Sequence, residues 1–189
     1  MADISIRNIR IAGIAACVPK NVDRIADYTL ISESEREGFM KTVGVRERRM
    51  VSKGVVTSDL CAEAARQLMN KLGWDPSTIN ALVFVTQTSD YVIPSTAIIL
   101  QHRLGLPESC MAFDMNLGCS GYVVGLQVAS SLVNPTGIRR VIFLAGDVSS
   151  INMSYHDKST YPLFGDAGSA TAIEYCEDAP DAYFRTGSD

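Results

Sequence analysis

The sequence predicts an α/β fold, and three observations carry that expectation. Three short runs, ALVFVT (81–86), MAFDMN (111–116) and VIFLAG (141–146), are largely apolar on both alternating faces, as strands covered on two sides require. Amphipathic or apolar helical patterns lie between these runs. Strand and helix therefore alternate along the chain, the order that builds a sheet with parallel crossovers.

At the N-terminus, IRNIRIAGIAACV (6–18) is β-rich, and its uninterrupted apolar part from Ile11 to Val18 is followed by Pro19, so it reads as strand rather than as a leader. Ser32 with Glu35 forms a capping box that opens a short helix. From Cys61 the apolar residues Cys61, Ala64, Ala65, Leu68, Met69 and Leu72 fall on one helical stripe, with Thr57 or Ser58 as the cap and Gly73 as the stop. Pro94 and Ser95 open another helix that ends at Leu104 and Gly105. The stretch YVVGLQVASSLV (122–133) is apolar almost all round, so a helix there is expected to be buried. SATAIEY (169–175) adds a strand. The last segment, EDAPDAYFRTGSD (177–189), is acidic and reads as a connector, which leaves residues 1–176 as one domain.

Composition narrows the function classes. The 189 residues are 47% hydrophobic and 20% charged, the balance of a packed globular protein. The net charge of −4 and the lack of a basic stripe beyond Arg46, Arg48 and Arg49 argue against nucleic acid as a partner. No apolar run is long enough to span a membrane as a helix. Five cysteines, an odd number without C-x-x-C or His/Cys ligand spacing, suit a reducing cytoplasm and suggest neither a disulfide framework nor a metal site.

Cys119, in NLGCSGYVVGL (116–126), stands apart from the other four. It follows a buried strand and precedes a helix, where unpaired N–H groups and the helix dipole favour a thiolate. Gly118, Ser120 and Gly121 keep its surroundings small, and the turn amides can receive an oxyanion. A hydrolase elbow needs glycine at 117, where Leu117 stands. Of the two histidines, His156 in SYHDKST is the better candidate base, and His102 reads as a solvated helix-end residue. On local pattern alone Cys119 is evenly poised between nucleophile and buried sulfur.

Five segments tip that balance. GVRERR (44–49), ALVFVTQTSDYVIPSTA (81–97), AFDMNLGCSGYVVGL (112–126), AGDVSS (145–150) and PLFGDAGSATAIE (162–174) resemble, in order and spacing, the N-terminal half of a β-ketoacyl-acyl carrier protein synthase III. The resemblance implies a thiolase-like fold, N-terminal half, with Cys119 as the catalytic cysteine. It implies that Cys119 takes an acyl group from acyl-CoA or an acyl carrier protein thioester for condensation with malonyl-acyl carrier protein in fatty-acid or related biosynthesis. It implies a homodimer in which Ile93 lines the neighbouring subunit's acyl pocket. Gly165 and Gly168 are expected to turn the chain tightly beside the site, and Asp166 to cap backbone amides.

The sequence departs from the family at specific places. The family's H-Q-A-N and G-N motifs, which supply its catalytic histidine and asparagine, do not occur in these 189 residues. The expectation is a chain that lacks the decarboxylation apparatus and exposes apolar surface. Gly38 and Thr42 replace a tryptophan and an arginine that clamp the CoA nucleotide, and Lys158 stands where another arginine would be. Arg46, Arg48 and Arg49 could hold a phosphopantetheine phosphate or form internal salt bridges. No bound cofactor is expected, CoA or phosphopantetheine thioesters being substrates. Two other readings keep the fold: acyl transfer to a non-malonyl acceptor, or a scaffold subunit without catalysis.

Overall fold

A computed structural model describes residues 2–187. The strands are β1 (Ala2–Ile6), β2 (Ile9–Cys17), β3 (Asn21–Arg24), β4 (Glu47–Met50), β5 (Ala81–Val85), β6 (Met111–Met115), β7 (Arg140–Val148), β8 (Asp166–Tyr175) and β9 (Ala182–Thr186). The α-helices are α1 (Glu33–Val43), α2 (Thr57–Leu72), α3 (Thr96–Arg103) and α4 (Gly121–Leu132). A five-stranded mixed sheet in the order β2-β8-β7-β5-β6 forms the centre. The three apolar runs are its parallel part, β7, β5 and β6, while β8 runs antiparallel to both β2 and β7.

Burial on both faces explains the composition of β5. Leu82 and Phe84 face the cluster formed with α2 and α3, and Ala81, Val83 and Val85 face the one beneath α4. All five β5 residues are buried. Each fully buried aliphatic or aromatic side chain contributes about 1.5–3 kcal/mol, so this strand anchors both layers.

α2 follows its expected stripe, with Cys61, Ala64, Ala65, Leu68 and Met69 buried, and it ends at Gly73 in the left-handed conformation (φ 65°). Its N-cap is Val56 rather than Thr57 or Ser58. The Val56 N–H donates to Asp59 Oδ2 at 2.9 Å, and the Thr57 hydroxyl is engaged with Thr88 and Val148 instead. Two glycines let this helix approach the sheet. A Cβ on Gly168 would lie 2.6 Å from the Cys61 nitrogen, and one on Gly146 would lie 3.0 Å from the Cys61 sulfur. Gly168 is therefore a contact residue within β8, not the turn residue expected. Gly165 likewise packs against Arg48 and Arg49 without a positive φ.

α1 carries the expected capping box, with Ser32 Oγ accepting from the Glu35 N–H and Glu35 Oε2 accepting from the Ser32 N–H at 2.6 Å. α4 departs from expectation. Its stripe of Gly121, Gly125, Ala129 and Ser130 is buried against β5 and β7, but Val123 is 51% exposed, because no described element covers the outer side of the helix. The segment read as a connector contains β9, which pairs antiparallel with β1 in register Ala2 with Thr186.

Candidate functional site

Cys119 is exposed in the turn from β6 to α4. That turn is tight: the Gly121 N–H donates to the Gly118 carbonyl at 2.7 Å and the Val124 N–H to the Ser120 carbonyl at 3.0 Å. Among the described residues no acceptor serves the backbone N–H groups of Cys119, Ser120, Tyr122 or Val123. A reachable thiol thus stands beside several free amide donors at a helix N-terminus, the arrangement that suits a negative charge developing on oxygen or sulfur.

The height of the cysteine above the sheet is set by two glycines one turn apart. A Cβ on Gly121 would lie 2.7 Å from Val85 Cγ1, and one on Gly125 would lie 2.6 Å from Phe143 Cε2 and 2.7 Å from Val85 Cγ2. Such contacts are shorter than van der Waals distance, so only glycine lets α4 rest directly on β5 and β7. The Tyr122 hydroxyl, 3.0 Å from Thr171 Oγ1, ties the first turn of α4 to β8.

The other four cysteines have different surroundings. Cys61 and Cys110 are buried, and burial pushes their thiols up to about 12 and about 11. Desolvation also raises the half-buried Cys17. Only Cys119 is exposed.

Beside Cys119 runs the loop from β5 to α3, which is fixed at both ends. At its start, Asp147 Oδ1 accepts from Thr86 Oγ1 (2.9 Å), the Gln87 N–H (2.7 Å) and Thr88 Oγ1 (3.1 Å), while Asp90 accepts from the Ser58 hydroxyl and N–H. At its end, Asp114 accepts from the N–H groups of Thr96 and Ala97 at 2.7 Å each, serving the free amides of α3. Between these anchors Tyr91, Val92 and Ile93 are 58%, 94% and 87% exposed. Asp147 and Asp114 were not foreseen as anchors. Their only sequence signals are the acidic residue in AGD and the one in AFD, each at or near the end of an apolar run.

Thr42, Arg46 and Lys158 are all exposed. Thr42 sits near the C-terminal end of α1, and Arg46 follows Gly44, the left-handed cap (φ 83°). The Arg46 carbonyl accepts from the Ile25 N–H at 3.0 Å, and its guanidinium has no partner among the described residues. Lys158 lies near the other end of α1. The Glu35 carboxyl there is held below its ordinary value by the Ser32 hydroxyl and backbone N–H, with the Lys158 charge adding to them. Seven residues separate Glu35 from Thr42, a rise of about 10 Å.

The remaining arginines have internal partners. Arg48 is buried, pairs with Asp23, and donates to the carbonyls of Tyr161 and Phe164. Arg49 donates to the carbonyls of Pro19 and Lys20. The Arg48 guanidinium also lies 4.5 Å from the Tyr161 ring centre, and Tyr161 stacks on Tyr28, whose hydroxyl donates to the Tyr155 carbonyl at 2.8 Å. This knot fastens the 149–164 segment to β3, β4 and the stretch around Tyr28 that precedes α1. Asp166 caps amides as expected, accepting from the N–H groups of Val51 and Ser150. His156 packs edge-on against Tyr155, with no hydrogen bond to Cys119.

The arrangement agrees with comparisons to known proteins. Residues 113–189 match the family described as 3-oxoacyl-[acyl-carrier-protein] synthase III. The chain is 32% identical over 177 residues to a β-ketoacyl-[acyl-carrier-protein] synthase III of Koribacter versatilis, covering 94% of this chain and 53% of that protein. It is 34% identical over 168 residues to the corresponding synthase of Phocaeicola vulgatus, covering 88% and 50%. Among solved structures, a 3-oxoacyl-(acyl-carrier protein) synthase from Burkholderia xenovorans superposes with a TM-score of 0.93 at 37% identity, over 96% of this chain and 52% of that one. The synthase III of Aquifex aeolicus gives 0.82 at 26%, over 90% and 55%. The fold is thiolase-like, and the chain spans about half the length of the curated relatives it matches.

Proposed function

We propose that this chain is the cysteine-bearing N-terminal half of a condensing enzyme of the 3-oxoacyl-acyl carrier protein synthase III family. One observation carries the reading: the exposed Cys119 thiol stands at the β6 to α4 turn among free backbone amides, within a chain similar to those synthases over nearly all its length. In the first half-reaction the Cys119 thiolate attacks the carbonyl carbon of an acyl thioester. The free amides of the turn stabilise the oxyanion, the C–S bond to the carrier breaks, and the carrier thiolate leaves and takes up a proton. The product is an acyl-enzyme on Cys119.

Condensation with malonyl-acyl carrier protein forms the new carbon–carbon bond as carbon dioxide leaves. It needs groups that hold the malonyl carbonyl, and H-Q-A-N and G-N motifs do not occur in these residues. We assign that step to the assembled enzyme. Thr42, Arg46 and Lys158 are proposed to meet the carrier's phosphates, a role supported by their exposure and by an Arg46 guanidinium without a partner among the described residues. Ile93 is proposed to enter the acyl pocket of a second subunit in a homodimer, supported by its 87% exposure on an anchored loop. Five unpaired cysteines support a reducing cytoplasm, and no described helix is long and apolar enough to cross a membrane.

The test is intact mass measurement after incubation with acetyl-CoA and longer acyl thioesters. The expected result is a gain of one acyl group that disappears in Cys119→Ala. Absence of any adduct on the full-length protein would sink the proposal.

A further inference from the structure

Gln87 carries an exposed side-chain carboxamide with no hydrogen-bond partner among the described residues. Its backbone is fixed, because its N–H donates to Asp147 Oδ1 at 2.7 Å between two threonine hydroxyls bound to the same oxygen. Its head group lies over the nucleophile's turn. A Cβ on Gly118 would be 3.0 Å from both Oε1 and Nε2 of Gln87, so the amide rests on the bare Cα face of that glycine. The next Cα, about 3.8 Å further along the chain, is that of Cys119. One free donor pair and one free acceptor therefore lie against the turn, on the residue next to Cys119.

We infer that Gln87 is a specificity-determining residue that reads the part of the acyl group nearest Cys119, favouring chains with a hydroxyl or similar hydrogen-bonding group close to the thioester carbonyl over plain alkyl chains. The inference rests on the reading that Cys119 is acylated. A plain alkyl chain laid against this carboxamide strips water from its donor and acceptor and returns no hydrogen bond. A hydroxyl on the chain replaces that water with a direct bond. Sites built around a polar group discriminate strongly against a partner that leaves the group unpaired.

The test compares acylation of Cys119 by 3-hydroxybutyryl-CoA and by butyryl-CoA, followed by intact mass, in the native chain and in Gln87→Leu. The native chain is expected to favour the hydroxyacyl donor by about tenfold or more. Gln87→Leu brings the ratio close to one and leaves alkylation of Cys119 by iodoacetamide unchanged. An unaltered ratio in Gln87→Leu overturns the inference while the acyl-transfer reading stands. Equal slowing of alkylation and both acylations marks the side chain as mere support and overturns it too. Failure of the native chain to be acylated by either donor is the separate failure of the functional reading, and the inference falls with it.

Gln87→Glu gives a second, independent measure. A carboxylate beside the thiol disfavours the thiolate, so the pH profile of alkylation moves up by about half a unit or more. A profile that stays in place puts the side chain away from the sulfur and overturns the inference without reference to acylation.

Discussion

Gly125 of α4 and Phe143 of β7 touch so closely that a Cβ on the glycine would stand 2.6 Å from the ring carbon Cε2. Because α4 begins two residues after Cys119, this contact governs where the thiol is held. Gly125→Ala gains about 0.5–1 kcal/mol of helix propensity but must lift the helix or move the ring, an overpacking that costs about 1–3 kcal/mol. Overpacking wins. Urea unfolding is expected to show a lower midpoint, whereas Gly38→Ala, in α1 with nothing within 4 Å of its added Cβ, raises it.

The five cysteines differ enough in exposure to be ranked by alkylation. Iodoacetamide at pH 8 is expected to modify Cys119 first, with Cys61 and Cys110 silent in the native chain because burial holds their thiols near 12 and 11. Peptide mapping after timed quenching reads the order. Early label on Cys61 would mean that the contact of α2 with β7 and β8 opens readily.

Asp147 is the acceptor for three donors of the β5 to α3 loop through one oxygen. Asp147→Ala leaves Thr86, Gln87 and Thr88 without it, at about 1–3 kcal/mol for a donor stranded out of water. Limited chymotrypsin digestion is expected to cut after Tyr91 faster than in the native chain. Equal cutting rates would show that the Asp90 and Asp114 anchors suffice.

Asp157 provides an acid-side test. The hydroxyls of Ser159 and Thr160 and the Ser159 N–H hold its carboxyl at about 2, below the ordinary 3.8. A carboxyl with a depressed folded value supports the fold fully above the unfolded value, and that support fades as pH falls from about 4 to about 2. Carbon NMR of the carboxyl should give a midpoint near the lower figure, and Ser159→Ala should move it toward the upper one. A native midpoint near 3.8 would show that the Asp157 turn does not persist in solution.

What the sequence made legible follows from periodicity. The apolar runs became β5, β6 and β7, with two-sided burial at β5 but not at β6, the sheet edge where Met111 is exposed; the Cys61 stripe became the buried face of α2, and the Ser32 and Glu35 pair became a capping box, since each is a local pattern with a local cause. Pairing across long separations left no such trace. The antiparallel placement of β8 beside β2, and of β9 beside β1, joins segments more than 150 residues apart. At the site, the small residues around Cys119 left it evenly poised between nucleophile and buried sulfur, and only the run of five resembling segments set it apart from the other cysteines. The loop anchors could not be set apart at all, because Asp147 and Asp114 act on amides of other elements and no spacing along the chain records that.

The loop that carries Tyr91, Val92 and Ile93 divides its labour by residue. Asp147 accepts from Thr86, Gln87 and Thr88 before the exposed trio, Asp90 ties the loop to Ser58 of α2, and Asp114 accepts from Thr96 and Ala97 after the trio; none of these bonds involves the trio itself. Natural variation can therefore exchange those three side chains, altering what the tip meets, while the scaffold that holds the loop keeps its stability. Such a segment is free to diverge quickly among related chains, and its anchors are not.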